Sequence, residues 1–183
     1  MRTFGNGYKS TRQVENAKGN KMGNTARDVM ERRFLTLAPD MTIREAVEVF
    51  RQAGEITGRR VFGLIVVDAA GNLVGMLSMY DIFLLLRPKH IHIWGEMKDL
   101  DLAGMIDAAC RKAGQMLVGD IMTTDLITIS PDTHLLHILD IMIKQHVRRI
   151  PVLEDGQVLG IVYISRVFDH LLERMTAPGQ LPE

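Results

Sequence analysis

Apolar and polar positions along this chain fall into blocks that predict one order of elements, written twice. Phe34 to Leu37 is a short apolar run closed by Pro39-Asp40, which reads as a strand followed by a helix cap at Asp40. Ile43, Ala46, Val47 and Phe50 recur at helical spacing and predict one buried stripe, with Gly54 and Gly58 interrupting the helix. Val61 to Val67 is a continuous apolar run of strand length, Ala69-Ala70-Gly71-Asn72 is turn chemistry, and Leu73 to Leu77 returns as a second strand. Ser78 opens a helix through Ile82, Phe83 and Leu86 that Pro88 stops. The second copy runs in the same order. Leu126 to Ile129 is a strand, Asp132 a cap, and Leu135, Leu136, Leu139 and Met142 an inward stripe. Val147 to Leu153 and Val158 to Tyr163 are strands joined by the turn Glu154 to Gln157, and a helix follows from about Ser165 to Arg174.

The two copies align without a gap from Asp28 to Phe50. Asp28-Val29-Met30 lies over Asp120-Ile121-Met122, and each methionine is followed nine residues later by Pro-Asp, at Pro39 and Pro131. Further on, Gly75 falls on Gly160, Ser78 on Tyr163 and Asp81 on Arg166. The first copy is six residues longer across Arg51 to Arg60, where a longer loop is expected. A unit of about 60 residues buries too little surface to be robust alone. The expected fold is therefore α/β (α+β): two β-α-β-β-α repeats packed about a pseudo-twofold axis. The domain reading is a basic flexible arm over 1–24, repeat 1 over 25–87, an amphipathic linker over 88–117, repeat 2 over 118–175 and a tail over 176–183. In the linker Leu102, Met105, Ile106 and Ala109 recur at helical spacing, after the apolar Ile91, Ile93, Trp94 and Met97.

Composition narrows the function classes. Twenty-two basic and twenty-two acidic side chains cancel, so no global field draws nucleic acid or a membrane surface. No apolar run approaches the ~20 residues of a membrane span. The single cysteine, Cys110, forms no internal disulfide and reads as a buried thiol on the linker helix, which fits a cytoplasmic setting. No phosphate-cradling Gly-x-x-x-x-Gly-Lys loop, nucleophile elbow or paired cysteines occur, and no acid–base constellation points to an enzyme. His134 and His137 stand three apart on a predicted helix, with no further ligand placed to complete a metal site.

The ordered set of motifs resembles a tandem pair of CBS domains, named after cystathionine β-synthase and also called a Bateman module. The resemblance rests on the doubled Asp-[Val/Ile]-Met opening and the paired strands Gly63 to Asp68 and Arg149 to Glu154. It rests also on the closing run Gly75-Met76-Leu77-Ser78-Met79-Tyr80-Asp81-Ile82. It implies a disc with two clefts between the copies, and regulation rather than catalysis. The implied ligand is an adenine nucleotide, AMP, ADP or ATP, with S-adenosylmethionine a poorer candidate. Homodimers of such pairs are expected, acting on a separate effector protein that the sequence does not name. A structural or dimerisation module with degenerate, non-binding clefts is the alternative reading.

The candidate nucleotide-binding residues are Thr36, Phe62, Gly63, Ile65, Ser78, Asp81, Arg148, Arg149 and Pro151. An aspartate at position 81 suits both hydroxyls of a ribose as a charged bidentate acceptor. Ser78 and Asp81 together are equally a helix-capping box, and both roles can hold at once. Arg148 and Arg149 suit phosphate oxygens, or pair with Glu154 or Asp155, or stay solvated. Phe62 and Gly63 hold their places in the first copy without charge. Thr36 offers a hydroxyl, although threonine is also simply a good strand former. In the second copy Tyr163 and Arg166 replace the serine and the aspartate. An arginine cannot accept a ribose hydrogen bond, so that cleft is empty, filled by Arg166 itself, or adapted to an anion.

Overall fold

The computed structural model describes residues 23–87 and 102–176. The arm, the first half of the linker with His90, His92 and Trp94, and most of the C-terminal tail lie outside the described residues.

Repeat 1 contains α1 (Ala26–Val29), β1 (Thr36–Leu37), α2 (Ile43–Thr57), β2 (Gly63–Val67), β3 (Leu73–Ser78) and α3 (Met79–Leu86). The linker supplies α4 (Leu102–Ala113), and a 3-10 turn at Val118–Asp120 opens repeat 2. Repeat 2 contains α5 (Leu135–Lys144), β4 (Arg149–Glu154), β5 (Gln157–Tyr163) and α6 (Ile164–Thr176). The result is the expected mixed α+β architecture. β1 pairs parallel with β2, which pairs antiparallel with β3, and β4 pairs antiparallel with β5.

Several local expectations change. Leu126 to Ile129 is not a full strand: only Ile129 bridges β4, donating to Pro151 O and accepting from Leu153 N. The preceding rung would need an N–H on Pro151, and proline has none. The extra residues of repeat 1 lengthen a helix instead of a loop. α2 continues past Gly54 to Thr57 and ends at Gly58, whose φ of 63° is the left-handed conformation that stops a helix. The cost of Gly54, about 1 kcal/mol, is offset by burial of Ile43, Ala46 and Ala53 along the helix. Asp40 and Asp132 are not the caps. Burial of Ile43 and Leu135 fixes the first helical residues, so Thr42 caps α2 with Glu45, and His134 caps α5 through Nδ1. Val47 is half exposed and Leu136 is 67% exposed, so the inward stripe of α5 is Leu135, Ile138 and Met142. Cys110 is exposed rather than buried, because α4 turns Ala113 inward and leaves Met105, Ile106 and the thiol at the surface.

The packing units do not coincide with the sequence repeats. Ala26, Val29 and Met30 open repeat 1, yet they pack in the core of repeat 2 with Ile138, Ile150, Val162 and Val167. Val118, Ile121 and Met122 open repeat 2 and pack in the core of repeat 1 with Leu37, Ile43, Leu64 and Leu77. Matching backbone bonds hold both crossings. Arg27 N donates to Pro131 O at 2.9 Å, and its counterpart Gly119 N donates to Pro39 O at 2.8 Å. Ile65, Met76 and Ile161 form a third cluster between the halves, with Phe34, Leu126 and Tyr163 packed on it.

The recurring methionines and glycines meet at these crossings. Glu31 forms an antiparallel bridge with Ile161, and Thr123 forms one with Met76. A Cβ on Gly75 would lie 2.6 Å from Met122 Sδ and 3.0 Å from Thr123 O. A Cβ on Gly160 would lie 2.8 Å from Glu31 O and 3.1 Å from Met30 Sδ. In both places backbone oxygen, which cannot swing aside, is among the obstacles. Gly160→Ala should therefore destabilise the fold by about 1–3 kcal/mol through overpacking, and Gly75→Ala comparably. Thermal unfolding checks this, and a melting temperature unchanged in either variant would show that the crossing tolerates the added methyl.

Candidate functional site

Two clefts follow from the crossings, each beside the start of a closing helix. In the first, β3 ends at Ser78 and α3 begins at Met79. Ser78 N and Ser78 Oγ both donate to Asp81 Oδ2, at 2.7 and 2.6 Å, and Asp81 N donates to Ser78 Oγ at 3.3 Å. The capping reading of this pair is therefore correct. It leaves Asp81 Oδ1 without a hydrogen bond among the described residues, at a half-exposed helix start.

Arg149 enters this cleft from the other repeat. It begins β4 in register with Tyr163, and its guanidinium lies against Gly63, so that any Cβ at Gly63 would overlap it. Gly63 begins β2 in register with Ser78. The glycine thus makes room for the arginine next to the Ser78–Asp81 pair. Burial pushes the Arg149 guanidinium down from its ordinary range, while Tyr163 and Asp81 push it back up and Arg148 pushes it down. An arginine stays charged under such shifts. Arg149 is therefore a half-buried cation that makes no hydrogen bond or ion pair among the described residues. Burial likewise raises the Tyr163 hydroxyl, which Arg149 lowers and Glu31 raises.

The other predicted residues divide. Phe62 is half exposed, and its carbonyl accepts from Met79 N at the start of α3. Arg148 is exposed, and its carbonyl plays the same part for Ile164 N. Neither Arg148 nor Arg149 pairs with Glu154, which bonds Arg27 at 3.1 Å instead. Ile65 is fully buried in the cluster between the halves, and Pro151 is buried under the Ile129 bridge. Both side chains are apolar and buried. Thr36 is paired with Ile65 on β1, with no bond to Ser78, Asp81 or Arg149 among the described residues.

Two relevant residues escaped the sequence reading. The Thr123 bridge to Met76, two residues before Ser78, brings the opening of repeat 2 to the edge of the first cleft. Glu31 holds the equivalent place in the second cleft, where its Oε2 accepts from Arg166 Nη2 at 3.0 Å. The only hint in the sequence was that Glu31 and Thr123 each follow the repeated methionine, and a linear pattern does not show which hairpin that segment crosses.

Comparison with known proteins meets this geometry. A model of the CBS domain matches residues 26–87 and again 118–173. The chain belongs to the CBS domain family. CBSCBSPB3, a CBS domain-containing protein of Arabidopsis thaliana, is 26% identical over 141 residues, covering 77% of this chain. This chain spans only 22% of that protein's length. YhcV, a CBS domain-containing protein of Bacillus subtilis, is 26% identical over the same length and is 81% covered. Among solved structures, the CBS-pair protein CBSX2 of Arabidopsis thaliana superposes with a TM-score of 0.64 at 25% identity, covering 84% of this chain and 97% of that one. A structure of CBSX2 in complex with AMP gives 0.61 at the same identity, covering 84% and 99%. Among the described residues of this CBS pair, no helix is long and apolar enough to cross a membrane.

The cap and the cleft can be separated by mutation. Ser78→Ala removes the hydroxyl that caps α3 and should cost about 0.5–2 kcal/mol of stability. Denaturant unfolding of the ligand-free protein would show it as a lower midpoint at unchanged slope. An unchanged midpoint would mean that the Ser78–Asp81 bonds do not support the helix.

Proposed function

We propose that this CBS pair is a regulatory module that binds an adenine nucleotide in the cleft at Ser78 and Asp81 and passes that state to an effector. The carrying observation is the cleft's divided chemistry. A capped aspartate whose Oδ1 makes no hydrogen bond among the described residues stands on one repeat, and a half-buried guanidinium with no hydrogen bond or ion pair among them reaches over Gly63 from the other. A nucleotide supplies what each lacks: ribose hydroxyls to donate to the carboxylate, and phosphate oxygens to accept from the guanidinium. Holding both ends would tie the repeats together, which is how binding could alter the surface an effector meets. The AMP complex of CBSX2 supports the ligand class. Residues Thr123 and Ser78 border the ribose end in this reading, Phe62 flanks it, and Thr36 takes no part. The cationic Arg149 favours phosphorylated nucleosides over S-adenosylmethionine, whose sulfonium would meet a like charge.

Asp81→Ala should weaken AMP binding by about 1.5–3 kcal/mol, roughly ten- to a hundredfold, as expected for a hydrogen bond to a charged group. Calorimetry on the folded variant checks this, and undiminished affinity would leave Asp81 only its capping role. Arg149→Ala should weaken AMP while leaving adenosine almost unchanged; equal losses for both would remove the phosphate role. A thermal-shift panel of AMP, ADP, ATP, NAD and S-adenosylmethionine then ranks the ligands.

The surface favours assembly as well. Tyr80, Phe83 and Leu84 on α3 are exposed, as are Ile164, Phe168, Leu172 and Met175 on α6. Apolar groups so disposed on the two closing helices suit burial against a second copy, and the protein should be a homodimer or larger. Light scattering at micromolar concentration that returns the monomer mass would overturn this.

A further inference from the structure

The second cleft has the backbone of the first and the opposite charges. Ile161 stands where Met76 stands, and Glu31 bridges it as Thr123 bridges Met76. Tyr163 and Arg166 follow at the places of Ser78 and Asp81. Arg166 Nη2 donates to Glu31 Oε2 at 3.0 Å, and Glu31 Oε1 accepts from Arg33 N at 3.1 Å, so both carboxylate oxygens are engaged. The Glu31 side chain keeps 19% of its exposure and that of Arg166 39%, so the carboxylate is sheltered while the guanidinium still meets solvent. Arg149 is the contrast, a cation beside the first cleft that makes no hydrogen bond or ion pair among the described residues.

We propose that the Glu31–Arg166 ion pair takes the place of a ligand in the second cleft, so that the module holds one nucleotide per chain and not two. Glu31 comes from the opening of repeat 1 and Arg166 from the closing helix of repeat 2. They span the seam as a bound nucleotide would span the first cleft. Arg166 only donates, and each Glu31 oxygen already accepts one bond, from Arg166 or from Arg33 N, so a ribose would have to compete with the pair for the carboxylate. Tyr163 adds bulk where Ser78 is small. One cleft is thus braced permanently, and only the other responds to ligand.

This inference rests on the nucleotide reading of the first cleft, and the test separates the two. Isothermal titration of the full chain with AMP should saturate at one equivalent, with affinity falling at least tenfold in Asp81→Ala. Two equivalents would show the second cleft open and overturn the proposal. Glu31→Thr, Tyr163→Ser and Arg166→Asp together reproduce Thr123, Ser78 and Asp81 of the first cleft, though not Arg149, whose counterpart is Gly63, and should add a second, weaker equivalent of adenosine, which does not need the arginine. A folded triple variant that still takes one would show that the ion pair is not what excludes ligand. A double-mutant cycle of Glu31→Gln and Arg166→Gln, read by melting temperature without ligand, covers the case in which the triple variant fails to fold. Losses smaller together than their sum support the brace, and additive losses overturn it. Should AMP fail to bind the unaltered protein, the nucleotide reading falls, and the brace stands or falls on the cycle alone.

Discussion

The fold depends on a crossed pair of close contacts. The opening segment of each repeat lies on the closing hairpin of the other, with Met122 against Gly75 and Met30 against Gly160. Neither repeat has a complete core without its partner's opening residues. This explains why the same short motifs occur twice at the same spacing. The Asp-x-Met segment and the strand glycine are two halves of one contact, made between repeats. It also explains why a chain of two small units folds as one body: each unit alone would expose the apolar groove that the other's opening segment fills.

The same crossing builds the clefts. Backbone bridges at Glu31–Ile161 and Thr123–Met76 place the opening of one repeat two residues from the N-cap of the other's closing helix. Any molecule lodged there touches both repeats. Side chains then decide what each cleft does. At the first, Asp81 and Arg149 attract each other without forming an ion pair among the described residues, and burial partly desolvates the guanidinium. At the second, Glu31 and Arg166 have already paired. Two sites of equal backbone thus differ in whether their charges are satisfied from within.

Much of the molecule was legible in the sequence. The apolar runs of β2 to β5 are strands because continuous branched and aliphatic side chains suit a buried sheet. Ser78 and Asp81 read correctly as a cap because capping is a local interaction between residues three apart. The internal repeat fixed the family and the pseudo-symmetry. The errors were local choices overruled by burial or by a missing backbone donor. Thr42 displaced Asp40 as a cap because Ile43 had to be buried, and Pro151 erased a strand rung because it lacks a donor.

Sequence alone therefore determined the element order, the doubling and the Ser78–Asp81 cap. Only the tertiary structure decided which ends meet. Glu31 and Arg166 are 135 residues apart along the chain, and Arg149 and Gly63 lie on different repeats. Such pairings follow from the crossing of the opening segments, and no local propensity encodes that crossing. Periodicity and capping act within a few residues, whereas the partner of a charge in a cleft is set by how two whole repeats fill each other's cores.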